Sequence, residues 1–314
     1  MSTSSRRACS LFSRADGYVF GYKVLSRELV PHRTPLVLVT GLSAVGLIDW
    51  FPLASLLAKE RPVLVFDNRG IGSSTIPHKR KDEPYTIEDM AQDVVELVKH
   101  LGWNRIDILG FSMGGMIVQQ LLTNEKRLPF RIEHVVLTAT SAKRAHSDLL
   151  KAIPQPQDGA REGGGEMTRE AKRKLVEPFT NVNYSPDFIK NPKNRPLLDR
   201  RIDESIDSRR PARTVQQQIA GYDVRKKLGS IPSHVPVLVL HGTLDRSVYY
   251  TEAKYILEGI RHAKLLTFEG VGHMWYDYYT PEYWVRLLSV FLNDPRGGDV
   301  SALVPPAVPS HARL

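Results

Sequence analysis

The chain has one cysteine, Cys9, in 314 residues. That excludes an internal disulfide and any cysteine-built metal cage, and it suits a reducing compartment. The ten histidines are scattered without metal-ligand spacing, so no metal site is expected. No apolar run approaches the ~20 residues that span a bilayer, so no transmembrane segment is expected. Internal repeats are lacking. Residues 1–14 contain no acid, are rich in Ser and Arg, and lack the apolar core of a secretory signal. They are read as a flexible N-terminus, with a mitochondrial presequence as the lesser alternative.

What is present is an ordinary globular composition, 42% hydrophobic and 25% charged, long enough for one substantial core and an inserted lobe. The formal charge is +9, and residues 143–227 hold 19 Lys and Arg against 12 Asp and Glu, so +7 of it sits in one stretch. Acids are interspersed there and aromatics are few. A nucleic-acid binder interleaves basic and aromatic side chains, so a solvated basic face is expected and no nucleic-acid partner.

Ala15–Leu25 alternates around a glycine as an antiparallel edge hairpin would. From Pro35 the rhythm changes to short β-branched or leucine runs: Leu36–Thr40, Val63–Phe66, Ile106–Leu109, Val135–Thr138 and Val237–Leu240. Strands buried on both faces look like this, which predicts a mostly parallel sheet. Helical patterns lie between them. The clearest runs from the cap Thr86 to Gly102, with Ile87, Met90, Val94, Val95, Val98 and Leu101 as one apolar stripe. Alternating strands and helices imply an α/β, doubly wound architecture.

The alternation fails from residue 141 to 228, where prolines, the run Gly163–Gly165 and short polar helical pieces replace it. Too long for a loop and too charged for a core, this stretch is read as an inserted, mainly helical lid. The core is then 15–140 plus 229–293. A helix from about Thr251, the strand Ala263–Phe268 and a last helix capped by Thr280 with Pro281 at its first position complete it. Residues 294–314, rich in Gly and Pro, are expected to be a disordered tail.

The candidate chemistry centres on Gly110-Phe-Ser112-Met-Gly114, with an apolar strand before it and a helix expected from Met116. This spacing sets a serine on a sharp strand-to-helix turn, flanked by glycines because Cβ atoms there have no room. A serine needs a base, and a histidine base needs an acid to fix its tautomer. In the order Ser, acid, His, the loops after later strands supply Asp245, in Leu240-His-Gly-Thr-Leu-Asp245, and His273, in Gly270-Val-Gly-His273. His241 competes as base, though support of the acid loop is its blander role; Asp277 and Asp223 are lesser candidates for the acid. Two backbone N–H groups are expected to hold an oxyanion, those of Met113 and of Leu42 after the first buried strand. Ser43, Met116 and Trp275 are candidates for the substrate pocket.

These motifs, with the turn Phe66-Asp67-Asn-Arg69-Gly70-Ile-Gly72-Ser73-Ser74 and the Gln216…Pro232 stretch, resemble the α/β-hydrolase superfamily from about Asp16 to Leu292. Where relatives usually carry His-Gly, this chain has Thr40-Gly41. Dehalogenases and epoxide hydrolases of the fold have aspartate at the position of Ser112, so the resemblance implies neither. It implies a serine hydrolase of the esterase or lipase type, acting on a small ester, lactone or thioester through Ser112, His273 and Asp245 without a cofactor. A C–C bond hydrolase, an acyltransferase and a non-catalytic binder are the alternatives. The last residues, Ala312-Arg313-Leu314, resemble the Ser-Lys-Leu address read by a peroxisomal import receptor, which sets peroxisome beside cytosol as the expected location.

Overall fold

A computed structural model describes residues 9–152, 167–211, 214 and 222–305. Eight strands form one sheet in the order β1-β2-β4-β3-β5-β6-β7-β8. They are β1 Ser10–Ser13, β2 Val19–Leu25, β3 Leu36–Val39, β4 Val63–Phe66, β5 Arg105–Phe111, β6 Arg131–Thr138, β7 Val237–Gly242 and β8 Lys264–Phe268. The first two pair antiparallel with each other, and β2 pairs antiparallel with β4. Every other pairing is parallel. The central runs are buried along their whole length, as the absence of polar alternation requires.

Alternate residues of one strand feed two cores. Val37 and Val39 face the layer containing the helices Ile87–His100, Met113–Leu122 and Ala253–Gly259. Leu36 and Leu38 face the layer of Leu53–Leu57 and Pro281–Asn293. The helix Ile87–His100 opens on a reciprocal capping box between Thr86 and Asp89. It closes at Gly102, whose φ of 70° is the left-handed cap geometry glycine accepts most readily.

Three boundaries differ from the sequence reading. Residues 10–13, placed in a flexible N-terminus of 1–14, are strand β1, because Phe12 stacks 4.3 Å from His100 and Arg14 bonds Asp93 and Asp16. Residues 294–305, placed in a disordered tail, are packed. Val300 is buried, Leu303 and Val304 lie on the core, and Tyr283 Oη donates to the Leu303 carbonyl. The helix expected from Met116 starts at Met113. Residues 1–8, the Gly163–Gly165 run, Gln216–Ala220 and Ala312–Leu314 lie outside the described residues.

Between β6 and β7 the described residues form helices Leu149–Ala152, Arg169–Asn181, Pro186–Lys190 and Arg195–Asp207. Those starting at Arg169 and Arg195 are joined by Arg169 with Asp203 and Asp207, Arg173 with Asp199, and Arg195 with Glu177. These pairs lie at the surface, with Arg169 and Arg195 more than half exposed, and pairing base with acid leaves the net basic excess of the stretch unchanged. Among the described residues no helix is long and apolar enough to cross a membrane, and no group of three or more His, Cys, Asp or Glu is placed to hold a metal ion.

Candidate active site

Ser112 follows the last residue of β5 and precedes the helix Met113–Leu122. Its φ of 55° and ψ of −123° are strained for a residue with a Cβ, and three backbone ties hold it there. Ser112 N–H donates to the Thr138 carbonyl at 2.9 Å. The Ser112 carbonyl accepts from Gly115 N–H at 2.9 Å and from Thr140 Oγ1 at 2.6 Å. The glycines are a matter of space. A Cβ on Gly110 would lie 2.5 Å from the Gly114 carbonyl oxygen, and one on Gly114 would lie 2.2 Å from that of Val39. The helix can thus begin immediately after Ser112, with Gly114 and Gly115 inside it.

Asp245 lies in the loop after β7, its side chain wholly out of solvent. Oδ1 accepts Ser247 N–H at 2.9 Å and Val248 N–H at 2.8 Å. Oδ2 lies 2.8 Å from His273 Nδ1 and 3.3 Å from His241 Nε2. Burial alone would raise the carboxyl pKa; the charge and hydrogen bond of His273 and the contact with His241 reverse this and hold it down at about 2. A carboxylate only accepts, so His273 Nδ1 is the donor, and Nε2 carries the lone pair of the neutral ring. His241 Nε2 donates to the Val248 carbonyl at 2.9 Å, which makes this histidine a brace of the acid loop.

The His273 loop is pressed against the inserted segment. A Cβ on Gly272 would sit 2.7 Å from Tyr278 Oη and 2.9 Å from the Asn183 carbonyl oxygen. Two residues on, the Met274 N–H donates to the same Asn183 carbonyl at 3.1 Å. Phe111 backs the imidazole at 4.8 Å between ring centroids. Ser112, His273, Gly41 and Leu42 all line one cavity of about 80 Å³. Met113 is the first residue of the helix behind Ser112 and is buried.

The other candidates fall elsewhere. Asp277 is bound bidentately by Arg201, at 3.0 and 2.7 Å, and accepts from Tyr184 Oη. Asp223 is exposed and held at a pKa of about 2 by Arg225. Ser43, Met116 and Trp275 are not among the described residues lining the cavity. Ser43 is buried in the loop behind it, and Met116 packs on the helix side of the core. Trp275 is buried edge-on against Trp284 at 4.5 Å. Its neighbours Met274 and Tyr276 face the cavity instead. The inserted segment adds wall residues that sequence reasoning missed, Phe179, Asn183, Arg201 and Arg210 among them. Nothing in the local pattern separates Asn183, Arg201 and Arg210 from the other polar and basic residues of that stretch.

The chain matches the alpha/beta hydrolase fold family over residues 34–278. It is 26% identical over 303 residues to a proline iminopeptidase of Lactobacillus crispatus, covering 88% of this chain and 95% of that one. It is 28% identical over 210 residues to 3-oxoadipate enol-lactonase 2 of Acinetobacter baylyi, covering 66% of this chain and 70% of the relative. Among solved structures, the esterase RhEst1 from Rhodococcus superposes with a TM-score of 0.71 at 22% identity, over 91% of this chain and 98% of that one. With Ser112, Asp245 and His273 carried at the carboxyl ends of three strands of this sheet, the chain belongs to the alpha/beta hydrolase family and is a hydrolase.

Proposed function

We propose that the protein hydrolyses a small carboxylic ester or lactone through an acyl-enzyme on Ser112. The observation that carries this reading is the bond from His273 Nδ1 to Asp245 behind a cavity that Ser112 and His273 share. Ser112 Oγ attacks the substrate carbonyl carbon while His273 Nε2 takes its proton. Asp245 holds the resulting imidazolium. The oxyanion is received by Leu42 and Met113 N–H groups, the latter at the positive end of its helix. Collapse breaks the bond to the leaving oxygen, which takes the proton back from His273; in a lactone that oxygen stays attached to the acyl chain. Water, deprotonated by His273, then releases the carboxylic acid.

The relatives named proline iminopeptidase favour amide cleavage as a second reading. Recognition of a substrate amine would ask for a carboxylate facing the cavity. Asp49 is the one carboxylate among the described lining residues, and Arg210 and the Val45 N–H already engage it. This favours an ester or lactone. The test compares p-nitrophenyl butyrate, a simple lactone and proline p-nitroanilide. Turnover of ester or lactone is expected, and Ser112→Ala should lose roughly 10⁴-fold or more of it. Equal rates from wild type and Ser112→Ala would refute the mechanism, and turnover of the anilide alone would favour the second reading.

A further inference from the structure

The loop that carries Leu42 is held by an unexpected partner. Its first residue is fixed by the core: Asn68 Nδ2 donates to Thr40 Oγ1 at 3.1 Å and to the Thr40 carbonyl at 3.3 Å. Its far end is fixed by Asp49, whose Oδ2 accepts Val45 N–H at 2.6 Å. Between them Ser43 has a φ of 61°, a left-handed conformation costing a side-chain-bearing residue roughly 1–2 kcal/mol. Such a conformation persists only where its surroundings over-determine it.

Much of that constraint comes from outside the core. Arg210, which follows the inserted helix Arg195–Asp207, donates from Nη1 to the Ser43 carbonyl at 2.6 Å. Its Nη2 bonds both oxygens of Asp49 at 3.1 Å, and its Nε donates to Ser208 Oγ at 2.7 Å. Both partners of the Arg210–Asp49 pair are largely out of water, with side chains 14% and 11% exposed, so solvent screens it less than a surface pair. One guanidinium therefore grips the middle of the loop and the carboxylate that caps its end. The same arm also carries Arg201, which binds Asp277, four residues beyond His273, and donates from Nη1 to the Asp49 carbonyl at 3.4 Å.

We infer that Arg210 is a positioning residue for the oxyanion site. By fixing the Ser43 carbonyl and Asp49 it aims the Leu42 N–H, so the inserted segment completes a site the core alone leaves loose. The inference rests on the roles proposed above for Ser112 and Leu42. It separates Arg210 from a substrate-binding cation: a positioning group acts on the transition state and a binding group on the ground state as well.

The test measures kcat and KM for p-nitrophenyl butyrate, and the affinity of butylboronic acid, whose tetrahedral serine adduct mimics the oxyanion. The variants are Arg210→Met, Arg210→Lys and Arg209→Ala. Arg209 ties the same arm to the Gly72 and Ser74 carbonyls without touching the loop. Arg210→Met should lower kcat about 10- to 100-fold with KM within about threefold, and weaken the boronate by the same factor as kcat. Arg210→Lys, still able to reach one of the two partners, should recover part of both. Arg209→Ala should stay near wild type. A change confined to KM, a kcat loss without weakened boronate binding, or the same losses in Arg209→Ala would overturn the inference. Wild-type behaviour of Arg210→Met beside an inactive Ser112→Ala defeats the inference alone, whereas an active Ser112→Ala defeats the reading beneath it.

Discussion

Asp245 has four nitrogen contacts at two oxygens, two backbone N–H groups on Oδ1 and two imidazoles at Oδ2. This arrangement keeps the carboxylate ionised down to about pH 2 and leaves His273 one tautomer. Asp245→Asn would present an amide that can donate to Nδ1 and so favour the proton on Nε2, where the base must be free. The substitution should lower kcat about 10⁴-fold with little change in KM. A loss below tenfold would show that Asp245 does not set the tautomer. The pH sign is defined too. The folded-state pKa lies below the unfolded value, so the stability Asp245 contributes is present above about pH 4 and lost as pH falls towards 2. The unfolding free energy of wild type relative to Asp245→Asn should therefore be larger at pH 5 than at pH 3, as urea titrations would show.

The histidine and the acid were legible as residues because each follows a strand that the hydrophobic pattern marks plainly. The pocket was not. An aromatic run such as Trp275-Tyr276-Asp277-Tyr278 offers several faces, and which ring meets the cavity depends on a 3-10 turn over Trp275–Asp277 that no periodicity announces. Trp275 went to the core beside Trp284, and Tyr276 to the cavity.

At the scale of the element, the turn at Ser112 was legible from its glycine spacing, because each glycine answers a steric demand of a strand and helix in contact. Gly114 is the most demanding of them, since a Cβ there would meet the Val39 backbone oxygen at 2.2 Å, closer than the 2.5 Å to backbone at Gly110. Gly102 offers the contrast, with φ of 70° and nothing within 4 Å of a built Cβ. Gly114→Ala should destabilise by about 3 kcal/mol or more and abolish activity, while Gly102→Ala costs about 1 kcal/mol of backbone strain and leaves activity intact. Thermal melts and ester turnover of the two variants check this; equal effects would show that the Ser112 turn tolerates a side chain. The start of the helix at Met113 was missed because glycines read locally as turn. Strand β1 was missed because a four-residue edge strand has too little pattern to stand out beside an Arg- and Ser-rich terminus.

Across the whole molecule, the two ends of the sheet are built differently. At the amino ends of the central strands, Arg61, Asp107 and His134 form a buried ionic cluster. Arg61 Nη1 and His134 Nδ1 each bond Asp107, and Arg61 also reaches Asn293. That cluster ties β5, β6 and the segment leading into β4 to the last helix. At the carboxyl ends the polar groups surround a cavity and the backbone is strained, at Ser112 and at Ser43. The inserted segment covers this end through arginines, and its contribution was the least legible part of the chain. An arginine in a charged stretch carries no mark of whether it will meet an exposed aspartate, as Arg169 does, or a buried carbonyl, as Arg210 does.

The central claim is that this assembly turns one alcohol into a nucleophile at neutral pH. Its most direct measurement is reaction of the native protein with a fluorophosphonate probe, with the adduct located by peptide mass spectrometry. The account predicts one adduct per chain, on Ser112, absent in Ser112→Ala and formed roughly 10³-fold more slowly in His273→Ala. Labelling of other serines at comparable rates, or undiminished labelling without His273, would contradict it.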